Sequence, residues 1–404
     1  MDTDVIILGG GLVGATLALA LDVHGVSSIV IDPADPAVTL APGFDGRASA
    51  VASASHRILD AIGVGAALAG KGCAIRHIRV SDGLEPGALD FIPDAEDGAL
   101  GTMYENKLLR RVLFDAASGA SGVDLRMRTR ASSVDRSAAG VAATLDTGET
   151  VRAPLLIAAE GRNSPTRDAA GISVARWSYD HSAIIGAFHH ERSHEDTAYE
   201  IFYSAGPFAL LPLPDDAEGH RSAIVWTVDA KDGAGMLKLG DRAFLAEAEK
   251  RMGGFLGALS KASPRASYPL GFHHAARITD ERLALVGDAA HGIHPIAGQG
   301  LNLGFRDVAT LAEVMVEGKR LGLDLGDAAL LDRYQRWRGL DTFMVALATD
   351  SLTRLFGVPG KTASAVRRFG IAAVNAIPPL KDRFMAEARG ESGDLPKLLQ
   401  GLMI

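Results

Sequence analysis

Gly9, Gly11 and Gly14 stand in G-x-G-x-x-G spacing behind the apolar run Val5 to Leu8, with Leu12 and Val13 between the last two. At such a spacing the first glycine permits a tight turn and the second lets backbone approach a pyrophosphate. Gly14, with Ala18 a turn later, allows close contact between helix and strand. A helix starting at this turn offers free N–H groups and about half a positive charge to phosphate oxygens. Asp32 follows 23 residues after Gly9, where a carboxylate can accept hydrogen bonds from a ribose. The chemistry read from these residues is recognition of a dinucleotide.

A second constellation runs from Gly287-Asp288-Ala289-Ala290-His291 through His294-Pro295-Ile296-Ala297-Gly298-Gln299-Gly300-Leu301-Asn302. It places an acid at a strand end, then a glycine-bracketed turn that opens a helix from about Leu301. The N-terminus of that helix can stabilise an anion. A third apolar run, Leu155 to Ala159, leads into Glu160-Gly161. Ligands of open α/β sheets lie beyond the carboxyl ends of the strands, so the three ends are expected to converge on one ligand.

Other groupings point away from chemistry. His189, His190 and His194 with Glu195 have no cysteine partner alongside, and read as a solvated charged stretch between strands. His273-His274 reads the same way. His291 and His294 lie inside the second constellation, where a role beside the ligand outweighs a metal, and no metal site is expected. No G-x-S-x-G occurs, so an α/β-hydrolase lacks its nucleophile. Phe202, Tyr203, Phe208 and Trp226 read as core before pocket. Among 404 residues, 41 basic against 49 acidic side chains leave a net −8, which argues against nucleic acid as a partner. A single cysteine, Cys73, fits a reducing cytosol.

These groups need a scaffold. Val5–Leu8, the glycine turn, a helix from Leu12 to about Val23 and a strand at Ser28–Ile31 make a βαβ unit. Val5 to Leu21 carries no charge, yet Asp2 and Asp4 precede it and Gly9, Gly10, Gly11 and Gly14 interrupt it. A strand, a turn and a buried helix are therefore expected in place of a signal peptide or a membrane span. Trp177 to Tyr268 alternates and is punctuated by Pro207, Pro212 and Pro214, the pattern of an inserted antiparallel sheet. After Leu301 the chain reads as helical, with breaks near Gly357–Gly360 and Pro378–Pro379.

The chain resembles the class A flavoprotein aromatic hydroxylases and, among them, the ubiquinone-biosynthesis hydroxylases acting on 2-polyprenyl-phenols and 2-polyprenyl-6-methoxyphenols. The likeness rests on the first glycine motif and on Asp45-Gly46-Arg47-Ala48-Ser49-Ala50, Glu105-Asn106 and Gly206 to Leu213. Above all it rests on Gly287 to Asp307; Ile377-Pro378-Pro379-Leu380-Lys381 and Gly393-Asp394-Leu395-Pro396 add to it. The resemblance implies an α/β fold with an α+β insertion: a Rossmann-like FAD-binding domain, an inserted antiparallel-sheet substrate domain and a helical C-terminal segment. The implied boundaries are 1–75, 100–172 and 276–340 for the discontinuous FAD-binding domain, 76–99 and 173–275 for the substrate sheet, and 341–404 for the C-terminal segment.

By the same resemblance Asp32 holds the adenosine ribose, Arg47 and Asn106 contact the phosphate and ribityl region, and Ala131 lies by the adenine. Asp288 holds the ribityl chain, while Pro295, Gly298, Gln299, Gly300 and Asn302 border the flavin ring as the catalytic set. Gly9, Gly11, Leu12, Val13, Gly14, Glu160, Gly161, Gly287 and Leu301 complete the cofactor-binding set. One departure is Glu160, where the family has Asp before the glycine. The implied activity is NAD(P)H- and O₂-dependent hydroxylation of a polyprenylated phenol through a flavin C4a-hydroperoxide. Hydroxylation of a soluble aromatic substrate, and a non-catalytic FAD-containing subunit of a quinone-synthesis complex, stay open as alternatives. A cytoplasmic protein is expected, peripheral on the inner face of the membrane and in contact with quinone-synthesis partners. Its candidate membrane segment holds Arg354, Lys361, Arg367, Arg368, Lys381, Arg383 and Arg389 against Asp382 and Glu387, a net 7 − 2 = +5, interleaved with Phe369, Ile371, Ala372, Val374 and Ile377.

Overall fold

Continuous apolar runs such as Val5-Ile6-Ile7-Leu8 and Leu155-Leu156-Ile157-Ala158 can be buried on both faces only in a parallel sheet covered by helices. The computed structural model, which describes residues 1–94, 96–203, 205–292, 299–339, 370 and 374–404, builds such a sheet from them. The N-terminal unit is β1 (Val5–Leu8), α1 (Leu12–Asp22), β2 (Ser28–Asp32) and the short α2 (Pro36–Thr39). There follow β3 (Ala48–Ala52), α3 (Ser53–Ala61), α4 (Gly65–Leu68), β4 (Cys73–Ile75), β5 (His77–Asp82), β6 (Leu89–Phe91) and β7 (Gly101–Glu105). Next come α5 (Asn106–Gly119), β8 (Val123–Met127), β9 (Ala131–Ser137), β10 (Gly140–Leu145), β11 (Thr150–Ala153), β12 (Leu155–Ala158) and α6 (Pro165–Ala169). The inserted region is β13 (Val174–His190), β14 (Thr197–Tyr203), β15 (Gly206–Asp216), β16 (Gly219–Asp229), α7 (Ala230–Lys238), α8 (Asp241–Met252), β17 (Leu259–Ser260) and β18 (Ala266–Ala275). Finally β19 (Thr279–Asp280), β20 (Leu283–Leu285) and β21 (His291–Gly292) lead to α9 (Gln299–Arg320), helical residues 328–339 and α10 (Pro378–Ala388).

The first sheet has the order β19-β20-β12-β1-β2-β8 and is parallel except at β19–β20. Strands β1, β12 and β20 are buried along their whole length. α1 is apolar on nearly every side and buried from Gly14 to Leu21, because it packs on both α9 and α5.

The second sheet has the order β21-β18-β13-β16-β15-β14-β5-β6, with β17 paired to β13. It is antiparallel apart from β14–β5, which run parallel in the register Glu200↔Val80. Two features depart from the pattern expected of the sequence. Helices α7 and α8 interrupt the expected run of strands, and α8 presses Phe244, Ala248 and Met252 onto Ile184, Ile201, Phe208 and Trp226 of the sheet. Its apolar residues recur every four positions, a helical and not a strand period. The sheet also takes in β21, so His291-Gly292 of the second constellation is hydrogen-bonded to His273 and His274 of β18.

α9 begins at Gln299, two residues before the expected start, and its 22 residues span about 33 Å. Asp307, fully buried in it, accepts hydrogen bonds from the Gly287 N–H at 2.8 Å, His291 Nε2 at 2.6 Å and Arg338 Nε at 2.7 Å. Burial alone would raise the Asp307 pKa, but the facing His291 and Arg338 outweigh it and leave the carboxyl below its ordinary value.

Asp307→Ala removes the buried charge on which the Gly287 N–H, His291 and Arg338 converge, and is expected to destabilise the fold by about 3–5 kcal/mol, measured by urea unfolding at pH 7. Because the folded pKa is lowered, this contribution is present above the ordinary carboxylate pKa and disappears as pH falls through the folded value. Equal unfolding midpoints for variant and parent at pH 7 would refute the role.

Candidate functional site

The carboxyl ends of β2, β1, β12 and β20 stand side by side. Backbone bonds just past the strands tie them in a row: Gly9 N–H to Ile31 O at 2.8 Å, Ala159 N–H to Leu8 O at 2.7 Å, and Val286 N–H to Ala158 O at 3.0 Å. Asp32, Gly9–Gly14, Glu160-Gly161 and Gly287-Asp288 therefore meet at one edge.

The glycines of the first turn have different reasons to be glycine. Gly9 has φ +105°, and a Cβ there would lie 2.4 Å from Ala159 O. A Cβ on Gly14 would lie 1.9 Å from Gly9 O. Gly11 is unlike both: its φ of −70° suits any residue, and a Cβ would meet nothing within 4 Å. The protein itself does not demand glycine at 11. What the missing side chain leaves is open room over the first turn of α1, where no side chain caps the helix and no acid stands. First-turn N–H groups have no intrahelical acceptor, so this is a cradle for an anionic group and it fits a pyrophosphate. Val13 locks the turn in place: a Cβ on Gly287 or Gly304 would come within 3.2 or 2.7 Å of its methyl groups.

Asp32 accepts from Gly10 N–H at 2.6 Å through Oδ2 and from Ala34 N–H at 2.7 Å through Oδ1. A carboxylate has about four acceptor positions, so bracing the turn still leaves two for ribose hydroxyls. Thr129 N–H binds Asp32 O and Arg128 N–H binds Ala34 O, which brings Ala131 to the same edge.

Asn302, buried near the start of α9, is held by β3: its Oδ1 accepts from Ala52 N–H and its Nδ2 donates to Ala50 O, both at 2.9 Å. Its amide thus sets where the helix begins. Gln299, Gly300 and Leu301 form the first turn, and a Cβ on Gly300 would again meet nothing within 4 Å. Pro295 and Gly298, with His294, lie outside the described residues. Asn106 accepts from Ser49 Oγ at 2.6 Å, and Arg47 is exposed beside the Asp45–Arg110 pair.

Glu160 uses its extra methylene locally. Its Oε2 accepts from Ser164 Oγ at 2.6 Å and Thr166 N–H at 3.2 Å, capping α6. Arg167, fully buried, donates through Nη1 to Ala289 O and Arg162 O, each at 3.1 Å, and so joins this loop to the Asp288 turn. The Asp288 side chain opens into the cleft, yet its dense surroundings push its pKa up, against the pull of His291 and Arg162.

The histidines stand otherwise than their charged neighbours suggest. His273 is buried in β18, and its Nε2 donates to Asp288 O at 2.7 Å. Burial holds its pKa down to about 4, so it is a neutral brace under the turn. His189 and His190 lie in β13, and His190 and His194 are buried, not solvated. Pairing with β16 carries His190 inside, the turn before β14 carries His194, and Ser222 Oγ with the Leu213 and Arg192 carbonyls engages the rings. Cys73 and Asp196 approach His194, but both His194 nitrogens are engaged by backbone, at Leu213 O and Asp196 N–H. Burial pushes the Cys73 thiol up to about 12. His291 sits behind the turn on Asp307. Phe202, Phe208 and Trp226 are core.

Residues 2–340 match the family described as "FAD binding domain". The chain is 45% identical over 402 residues to "Ubiquinone hydroxylase UbiL" of Rhodospirillum rubrum, covering 99% of this chain and 93% of that protein. It is 33% identical over 392 residues to the "3-demethoxyubiquinol 3-hydroxylase" of Escherichia coli, covering 96% and 98%. The crystal structure of p-nitrophenol 4-monooxygenase PnpA from Pseudomonas putida has the same fold, with a TM-score of 0.80 at 19% identity over 98% of this chain and all of that one.

Gly11→Ala separates ligand from scaffold. Its unfolding midpoint should stay within about 0.5 kcal/mol of the parent, because the methyl touches no protein atom. FAD affinity, followed by flavin fluorescence on titration into the stripped protein, should fall at least tenfold. Unchanged affinity would show that the cradle is not where the pyrophosphate lies.

Proposed function

The chain belongs to the FAD-dependent aromatic hydroxylases, in the branch that serves ubiquinone biosynthesis, and we propose that it inserts one oxygen atom of O₂ into the ring of a polyprenylated phenol. NAD(P)H is the reductant usual for this class. The observation that carries the reading is the row of strand ends facing an apolar sheet: the dinucleotide edge and the second sheet meet where Ala48 and Ala50 of β3 pack with Leu211, Ala198 and Phe202.

FAD, when bound, supplies the electron transfer and the activation of oxygen. The chain supplies the rest. The α1 turn and Asp32 would hold pyrophosphate and adenosine ribose, with Ala131 at the adenine end. Asn106, Arg47 and Asp288 would hold the middle of the cofactor. The N-terminus of α9, at Gln299, Gly300 and Leu301, presents N–H groups that oppose negative charge on the ring, with Pro295 and Gly298 just before it. Asn302 positions that helix, and Glu160-Gly161 with Arg167 fixes the Asp288 turn. The apolar face of Ala198, Phe202, Ala209 and Leu211 excludes water from the substrate ring and accommodates an isoprenoid tail.

A polyprenyl phenol resides in lipid, and no helix among the described residues is long and apolar enough to cross a membrane. Peripheral contact through α10 is part of this proposal. Ile377 is 48% and Phe384 40% exposed, with Arg383 between them, and Ile92 beside β6 is 57% exposed. Phe384 stands 6.4 Å from Phe91, which brings the patches together. Arg389 is engaged with Asp97. Arg354, Lys361, Arg367, Arg368, Phe369, Ile371 and Ala372 lie outside the described residues.

With FAD-loaded protein, NAD(P)H and a short-tailed prenyl phenol, ¹⁸O₂ should yield a product carrying one labelled oxygen by mass spectrometry. NAD(P)H oxidation without labelled product on any prenyl phenol would favour a non-catalytic FAD subunit, and preference for an untailed aromatic acid would favour a soluble-substrate hydroxylase. Lys381→Gln with Arg383→Gln should weaken co-sedimentation with anionic vesicles by about 1 kcal/mol per charge, an effect that added salt imitates. Activity on the short-tailed phenol should be unchanged, and parent protein that ignores anionic vesicles ends the membrane proposal.

A further inference from the structure

Glu200 is a carboxyl on an otherwise apolar wall. Its strand alternates: Tyr199, Ile201 and Tyr203 pack toward α8, whereas Ala198 and Phe202 pack with Cys73, Met103, Ala48 and Ala50 on the opposite face. Glu200 has the parity of Ala198 and Phe202 and shares their face. Ala209 of β15 and Val80 of β5 flank it in the ladder. Two residues along β15, about 7 Å away, Leu211 packs on Ala48 of β3, the strand whose Ala50 and Ala52 hold Asn302. Glu200 thus shares the face of the sheet that meets β3, the strand tied to the start of α9 through Asn302.

It has no partner there. No described residue donates a hydrogen bond to its oxygens or pairs with them, and those oxygens are not sealed from solvent-sized space. A polar group half-buried in an apolar wall is unfavourable unless something completes it. On the same face β14 and β15 contribute Ala198, Phe202, Pro207, Ala209 and Leu211, β6 contributes Leu89 and Phe91, and β5 contributes Ile78, Val80 and Asp82. Among these strands the face holds no basic side chain. The other titratable groups on the elements packed around it are Asp82 on β5, Cys73 on β4, Lys381 one turn before Met385 on α10 and, farther along the same face, Arg221 of β16, which is paired with Glu105 of β7 at 2.8 Å.

We propose that Glu200, as a neutral carboxylic acid, donates a hydrogen bond to the ring oxygen of the phenol and selects uncharged phenols against aromatic carboxylates, an assignment that rests on the hydroxylase reading above. A carboxylate-bearing ring placed here would find two acids on the wall and no counter-charge from β5, β6, β14 or β15. The phenol oxygen instead completes the acid's unmet donor. Burial pushes Glu200 up to about 8, so the acid form predominates at pH 7 and is lost above that value.

The test uses FAD-loaded full-length protein and two probes, 2-prenylphenol and 3-prenyl-4-hydroxybenzoate, with Kd read from perturbation of flavin absorbance between pH 6 and 9. For the parent, Kd for 2-prenylphenol should be flat at low pH and about tenfold higher by pH 9. Glu200→Gln, a permanent neutral donor, should match the parent within about twofold at pH 7 and lose the alkaline rise. It should also bind the carboxylate probe better than the parent does at pH 9. Glu200→Leu should bind 2-prenylphenol about tenfold more weakly at every pH. Identical pH profiles in parent and Glu200→Gln overturn the proposal, as does unchanged Kd with kcat reduced a hundredfold in Glu200→Gln, which would mark a proton acceptor. Hydroxylation of 2-prenylphenol is scored separately. If the Kd pattern holds without product, the hydroxylase reading fails and the Glu200 assignment stands. Product with a flat pattern does the opposite, sinking the Glu200 assignment and sparing the hydroxylase reading.

Discussion

One buried carboxylate holds the ligand-facing edge together. Asp307 lies inside α9, where an ionised acid is tolerable only if its acceptor positions are filled. They are filled from three directions: the backbone after β20, the imidazole of β21 and a guanidinium from the helical residues 328–339. Because each donor comes from a different element, none can move without uncovering charge. The turn that carries Asp288 is therefore anchored from below, and the same helix that supplies the anchor supplies the N-terminus proposed to face the flavin ring. Asn302 extends the tie to β3, and Arg167 extends it from Ala289 to the α6 loop.

This arrangement explains why neutral and charged braces alternate beneath the edge. His273 must be neutral to sit beside Arg162 and Arg167, and burial keeps it so. Arg167 can be buried because carbonyls and Asp168 occupy its fork. Behind the edge, the Arg167 fork is filled and His273 Nε2 is bonded to Asp288 O. In front, the first turn of α1 has no side-chain cap, and Gly11 and Gly300 leave no Cβ over the two helix starts. The edge is thus rigid behind and open in front, which is the condition for binding a large anionic cofactor without rearrangement.

Much of this was legible in the sequence because it is written in backbone. Glycine spacing, continuous apolar runs and an acid at a strand end are local signals, and they led to β1, α1, β2, β12 and β20 and to the convergence of their ends. The departures lie where partners come from afar. Nothing local to His273-His274 says that β18 buries His273 under Asp288, and charge-rich neighbours made His189 to His194 look solvated. Asp307 is an ordinary helical acid until Gly287, His291 and Arg338 close around it. α7 and α8 were masked by the alternating strands on either side, although Phe244, Ala248 and Met252 carry the helical period. The parallel β14–β5 pair joins segments more than a hundred residues apart, a distance no local pattern spans.

The carboxyls show how far residue type alone can take a functional argument. Asp32, Asp288, Asp307 and Glu200 are chemically alike, and each does something different because of what surrounds it. Asp307 is held below its ordinary pKa by His291, Arg338 and a backbone donor. Asp32 is braced by two backbone N–H groups with acceptor positions to spare. Asp288 opens outward, while its dense surroundings push its pKa up. Glu200 has no hydrogen-bond donor or ion-pair partner among the described residues, and burial favours its protonated form. Spacing in the chain places backbone; the donors around each acid decide whether it anchors the fold or keeps capacity for a ligand.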